Sequence, residues 1–209
     1  MSPWTHVFSS YLGQWLPGDQ RGFNTRHHKI RSTRHYLIND PHSKEHAGLE
    51  RYSKLMCDRK IFVAEHHREP LLIAIRGKLV DMHVPVAAIA VHATHSHALI
   101  KVGDEDAKRI FGRAKQASSH AIRSRYPGRL WGESSGVRRI RNYGHFASAI
   151  WYILDHSKQG AAVWCDEEME RQCRERYPDW RDKYTYSLDD GDDSEDEEGD
   201  VTGDEQSNC

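Results

Sequence analysis

The sequence predicts an α+β fold of the ferredoxin-like, split βαβ kind. It consists of an antiparallel sheet with helices on one face, plus a C-terminal helix carrying reactive side chains. Three observations predict it. Short runs rich in β-branched and aromatic residues lie at 4–11 and 84–92, with another ending near Val102. Helical periodicity appears at 66–80, 104–125 and 145–157. Their order is strand, helix, strand, strand, helix, strand, helix.

Each element has its own warrant. Residues 4–11, WTHVFSSY, alternate weakly and read as the first strand. Residues 12–48 are rich in Gly, Pro, Asn, His and charge without periodicity, which predicts a long loop or insertion. A short helix fits 49–58. In 66–80, LLIAI and LV recur at helical spacing, and Glu69-Pro70 suits a helix start. The apolar run VPVAAIAVH at 84–92 predicts a buried strand, followed by the strand ending near Val102. Gly103-Asp104 breaks that strand, and Asp104 could cap the next helix, whose Ala107, Ile110, Phe111, Ala114, Ala117 and Ile122 lie on or near one side. Tyr126-Pro127-Gly128 closes it. A strand is expected around Val137–Arg141. The last helix presents Phe146, Ala149, Ile150 and Ile153, with Gly160 near its C′ position.

Charge divides the chain. Of the 31 acidic residues, eleven lie from Asp189 onward, where there is no Lys or Arg. Residues 1–188 therefore carry 30 basic against 20 acidic side chains, about +10. The expectation is one domain over 1–188 with an anionic partner, nucleic acid above all, and a disordered acidic tail over 189–209. That tail either shields the basic face or serves solubility. The four cysteines form no CxxC pair and suggest neither a disulfide framework nor a zinc site. There is no apolar leader and no run of 18 apolar residues, so a cytoplasmic protein without a membrane span is expected.

Two local patterns carry chemistry. In His95-Ser96-His97, residues i and i+2 of a strand point to one face, which sets two imidazoles side by side as a metal-ligand pair. His92, just before it, is either a second-layer partner or incidental. Tyr152 and His156 are i and i+4 on a helix, so a phenol and an imidazole share one face, either as nucleophile and third ligand or as a tyrosine packed on the sheet with a histidine suited to the helix C-terminus. A phenol, with a pKa of about 10, is a poor nucleophile near neutrality, and a metal on the scissile phosphate would help. Basic side chains line the helix over 104–125, among them Arg113 and Lys115, and Arg138, Arg139 and Arg141 crowd the strand after it. These suit phosphate contacts.

Taken together, the chain resembles the REP-associated and related single-tyrosine transposases of the HUH endonuclease superfamily over roughly residues 5–164. The matching stretches are Thr94-His95-Ser96-His97-Ala98-Leu99, Ala114-Lys115-Gln116-Ala117, Leu130-Trp131-Gly132 with Val137-Arg138-Arg139-Ile140, and Tyr152-Ile153-Leu154-Asp155-His156. The opening Tyr11–Leu16 and Gly18–Gly22 also look like one subgroup. The resemblance implies that His95, His97 and His156 bind Mg²⁺ or Mn²⁺. It implies that Tyr152 attacks a phosphate of hairpin-bearing single-stranded DNA, forming a 5′-phosphotyrosine, and that Lys115 contacts the scissile phosphate or the attacking oxygen. The state would be monomeric or homodimeric. Where that family has a bulky apolar residue between the histidines, this chain has Ser96, which would leave a gap or need a partner. Two alternatives stand beside this reading. One is a domesticated, non-catalytic DNA-binding protein on the same fold. The other is a metal-binding module unrelated to DNA, using His92, His95, His97 and perhaps His83.

Overall fold

The structure, a computed structural model, describes residues 3–19, 23–24, 29–30, 47–57, 59–133 and 135–177. The acidic tail and most of the loop expected over 12–48 lie outside these residues.

A five-stranded antiparallel sheet organises the fold. Its strands are β1 (Trp4–Ser10), β4 (Val86–Val91), β5 (His95–Lys101), β6 (Gly136–Arg139) and β7 (Ala162–Cys165), in the order β6-β1-β5-β4-β7. The first four make the expected split βαβ sheet, and β7 adds an edge strand beside β4. A separate two-stranded ribbon joins β2 (Phe23–Asn24) to β3 (Lys29–Ile30) within the expected loop. The helices are α1 (Ala47–Met56), α2 (Glu65–Asp81), α3 (Asp104–Ala121), α4 (Tyr143–Asp155) and α5 (Glu167–Arg176). Helix α2 starts a turn before the expected Glu69-Pro70, so Pro70 lies in its second turn, still early enough that little of the hydrogen-bond ladder is lost.

Strand alternation assigns each residue to a layer. Thr5, Val7 and Ser9 of β1 pair with Ile100, Ala98 and Ser96 of β5 and face α2 and α3. Val7, Ile89, Val91 and Ile100 pack there against Leu71, Ile75, Leu79 and Phe111. The opposite face carries His6, Phe8, His97 and Leu99, and α4 covers it. The small side chains of Ala88 and Ala90 on β4 let the apolar stripe Phe146, Ala149, Ile150 and Ile153 approach closely, as the periodicity predicted. Asn142 caps α4 by accepting from the His145 backbone N–H at 2.8 Å. A 3₁₀ turn over His156–Gln159 then leads to Gly160, whose φ of 76° is the left-handed stop expected there. No helix among the described residues is long and apolar enough to cross a membrane.

The residue between the paired histidines does face the apolar layer. Ser96 is fully buried, and its hydroxyl has no hydrogen-bond partner among the described residues. A buried unpaired hydroxyl costs about 1–3 kcal/mol. Ser96→Ala removes it without adding volume and is expected to raise stability by about 1 kcal/mol in denaturant unfolding.

Candidate active site

The site forms where the start of β5 meets the C-terminal end of α4. His95 and His97 project from β5 towards α4, and His156 follows directly on the helix. The nitrogen ligand atoms of the three imidazoles all lie within 4.8 Å of one another, close enough for small χ rotations to bring them onto one ion. His97 and His156 are buried and His95 half-buried.

Each ring is oriented through its Nδ1. His156 Nδ1 donates to the Tyr152 carbonyl at 2.8 Å, which leaves the lone pair on Nε2. His95 Nδ1 lies 2.8 Å from Thr94 Oγ1, which is also 3.2 Å from His92 Nδ1. His97 Nδ1 lies 3.0 Å from His6 Nε2, while its own Nε2 is buried without a hydrogen-bond partner among the described residues. An orphaned, buried imidazole nitrogen next to two further imidazoles is what a bound cation would satisfy, so these residues fit a divalent metal. His92 stands one layer back, its ring 4.9 Å from that of His95. His83 does not join the cluster. It is exposed at the turn after α2, at the opposite end of β4.

Burial favours the neutral form of His6, His97 and His156. Burial, then the Arg138 guanidinium, pushes His6 down to about 3. Burial, then the neighbouring His6, His95 and His156, holds His97 well below the usual histidine range. Burial lowers His156 as well, against the raising effect of its bond to the Tyr152 carbonyl. Neutral imidazoles are the form that binds metal.

Tyr152, half-buried, stands beside two of the three rings. Its ring centroid is 5.3 Å from that of His97 and 4.9 Å from that of His156, edge-on to both. It is 5.9 Å from His6. One chain thus brings together the phenol and all three imidazoles. Phe8 walls the site on the β6 side, 6.0 Å from His97, over Gly136, where a Cβ would strike its ring.

The basic residues divide between the two layers. Arg138 pairs with His6 across β1 and β6 and shares the histidine face. Arg141 follows β6, and its backbone N–H donates to His145 Nδ1 on α4. The others do not converge there. Arg139 pairs with Thr5 on the far face, and Arg113 is exposed on α3, which packs against that face. Lys115 lies deeper in that layer than Arg113. Its ammonium is buried on the α3 side of the sheet, donating to Ser9 Oγ at 2.8 Å and to Gly132 O and Ser135 Oγ at 3.3 Å. Burial lowers it to about 8. Ser9 points away from the histidines, and Lys115 in this structure ties α3 to the sheet and to the segment before β6.

His6, Phe8 and Thr94 are site residues that sequence reasoning missed. A single histidine in a strand is silent until its neighbour across the sheet is known. Thr94, just before His95, and Phe8, opposite His97 on β1, form no metal motif of their own.

No protein-family model matches the chain, and no curated protein matches it. Among solved structures, the chain is similar to a REP-associated tyrosine transposase bound to a REP hairpin. The match has 16% identity over 77% of this chain and 70% of that chain, with a TM-score of 0.40.

Proposed function

We propose that this protein is a metal-dependent single-stranded DNA endonuclease and strand transferase with Tyr152 as its nucleophile. The observation that carries the reading is the packing of the Tyr152 ring, edge-on, against two of three converging imidazoles. A divalent ion held by His95, His97 and His156 would polarise the scissile phosphate. Tyr152 Oη then forms a bond to phosphorus as the bond from phosphorus to the 3′ oxygen breaks. The phenol proton ends on the departing 3′ hydroxyl, and the 5′ phosphate stays on Tyr152. Because that linkage keeps the energy of the cut bond, a second 3′ hydroxyl can reverse it and rejoin strands without ATP. Arg138 and Arg141, on or beside the histidine face, serve as phosphate contacts that hold the strand. A hairpin-bearing single strand is the proposed substrate.

The experiment is incubation of hairpin-bearing oligonucleotides with protein and Mn²⁺, wild type beside Tyr152→Phe. Cut strands and a covalent protein–DNA adduct from wild type alone support the reading. Identical products from both proteins overturn it, and hairpin binding without cutting by wild type selects the non-catalytic alternative.

The donor set also bears on the metal. Three imidazoles without a carboxylate suit a borderline ion better than one that demands oxygen. Mn²⁺ is expected to bind at least about tenfold more tightly than Mg²⁺ by titration calorimetry.

A further inference from the structure

We propose that His6 is a positioning residue: its Nε2 accepts the Nδ1 proton of His97 and so fixes the tautomer whose Nε2 lone pair faces the cation. The inference rests on the metal-centre reading above and extends it to a residue outside the ligand set.

The geometry is specific. His6 is directly opposite Leu99 on β5, and Phe8 is opposite His97. His6 therefore reaches His97 along the diagonal of the sheet, a distance long side chains span. Its ring is fully buried and its Nε2 lies 3.0 Å from His97 Nδ1. An imidazole in a buried strand interior is costly unless its polar atoms are paired, so an aliphatic residue would be the ordinary occupant.

Only one of the two proton arrangements serves a metal. If His6 Nε2–H donated to His97 Nδ1, the neutral His97 ring would carry its own proton on Nε2. That would bury an N–H with no acceptor among the described residues and close the atom to a cation. If His97 Nδ1–H donates to His6, Nε2 is left basic. Free histidine favours the Nε2–H form, so a ligand binding through Nε2 needs an acceptor at Nδ1. His156 has one in the Tyr152 carbonyl, and Thr94 Oγ1 stands in the same place for His95. His6 is the corresponding group for His97, the outer partner that metal-bound histidines regularly have. Here it is a second imidazole in place of the usual carboxylate or carbonyl.

The test combines two readouts on the full chain, using wild type, His6→Phe and His6→Gln. The first is the ¹⁵N shift pattern of the His97 ring in metal-free protein. The second is Mn²⁺ affinity by calorimetry. Expected are an Nδ1–H ring in wild type, a shift towards Nε2–H in His6→Phe, and Mn²⁺ affinity 10- to 100-fold weaker in that variant. His6→Gln, whose amide oxygen can accept in the same place, is expected to restore affinity to within about threefold. An Nε2–H ring in wild type, or unchanged Mn²⁺ affinity in His6→Phe, overturns the proposal. Should His6→Phe not fold, the wild-type ring pattern and the glutamine variant decide. Should wild type bind no Mn²⁺, the metal reading fails, while the ring pattern still settles the role of His6.

Discussion

Tyr152→Phe is expected to lower the rate of DNA strand cleavage by at least about 10⁴-fold, since removal of a covalent nucleophile typically costs on the order of 10⁴–10⁶. The substitution deletes one oxygen and keeps the ring, so the edge-on contacts with His97 and His156 survive. Affinity for Mn²⁺ and for hairpin DNA should therefore stay within about threefold of wild type, because neither depends on the phenol oxygen. Single-turnover cleavage measured beside equilibrium binding separates the two effects. Parallel loss of binding and cleavage would mean that Tyr152 holds the fold and is not the attacking group.

Acid is expected to destabilise the metal-free protein sharply. His6 titrates near 3 when folded and near 6.5 when unfolded, so below pH 6.5 the unfolded chain binds a proton that the folded one does not. The stability tied to this difference is intact above pH 6.5 and is lost as pH falls from 6.5 towards 3. For His6 alone, going from pH 7 to pH 5 costs about 2 kcal/mol. His97 and His156 are shifted in the same direction and add to the loss. Denaturant unfolding at a series of pH values checks this. His6→Phe should flatten the slope below pH 6.5, whereas an unchanged slope would mean that this ring is not held neutral.

Much of the fold was legible because the apolar runs of the strands and the helical period were clear. The β-branched apolar run at 84–92 and the strand ending near Val102 placed two adjacent strands of the sheet, and the helical stripe Phe146, Ala149, Ile150 and Ile153 placed α4. The pairings His95/His97 and Tyr152/His156 were legible for the same reason, since i, i+2 on a strand and i, i+4 on a helix fix relative direction. What failed depends on contacts between distant segments. β7 is four residues long and exists because the edge of β4 is open to it. Helix α5 has almost no apolar stripe. It is held by the Asp166 cap and by short-range pairs such as Arg174 with Glu170, and it buries Cys173. The side of the sheet on which Lys115 lies was not legible either. Its place in a motif suggested a phosphate contact, but the helix that carries it packs on the sheet face away from the histidines.

That division gives the two layers separate tasks. The α2/α3 layer supplies the larger apolar core, with Lys115 as a buried polar tie. The α4 layer carries the histidine cluster and Tyr152, where a strand and a helix end converge and where small alanines permit the close approach. A change that alters the seat of α4 on β4, such as enlarging Ala90, would displace Tyr152 and His156 together, because they share that helix end.

The most direct test of the account is calorimetric titration of Mn²⁺ into metal-free protein, wild type beside His97→Ala. If three imidazoles enclose one cation, wild type binds one ion per chain, and removing the orphaned Nε2 weakens binding by more than about 100-fold, beyond the usual effect of an outer partner. Equal affinity in the two proteins would contradict it, since the ion would then be held somewhere other than between His95, His97 and His156.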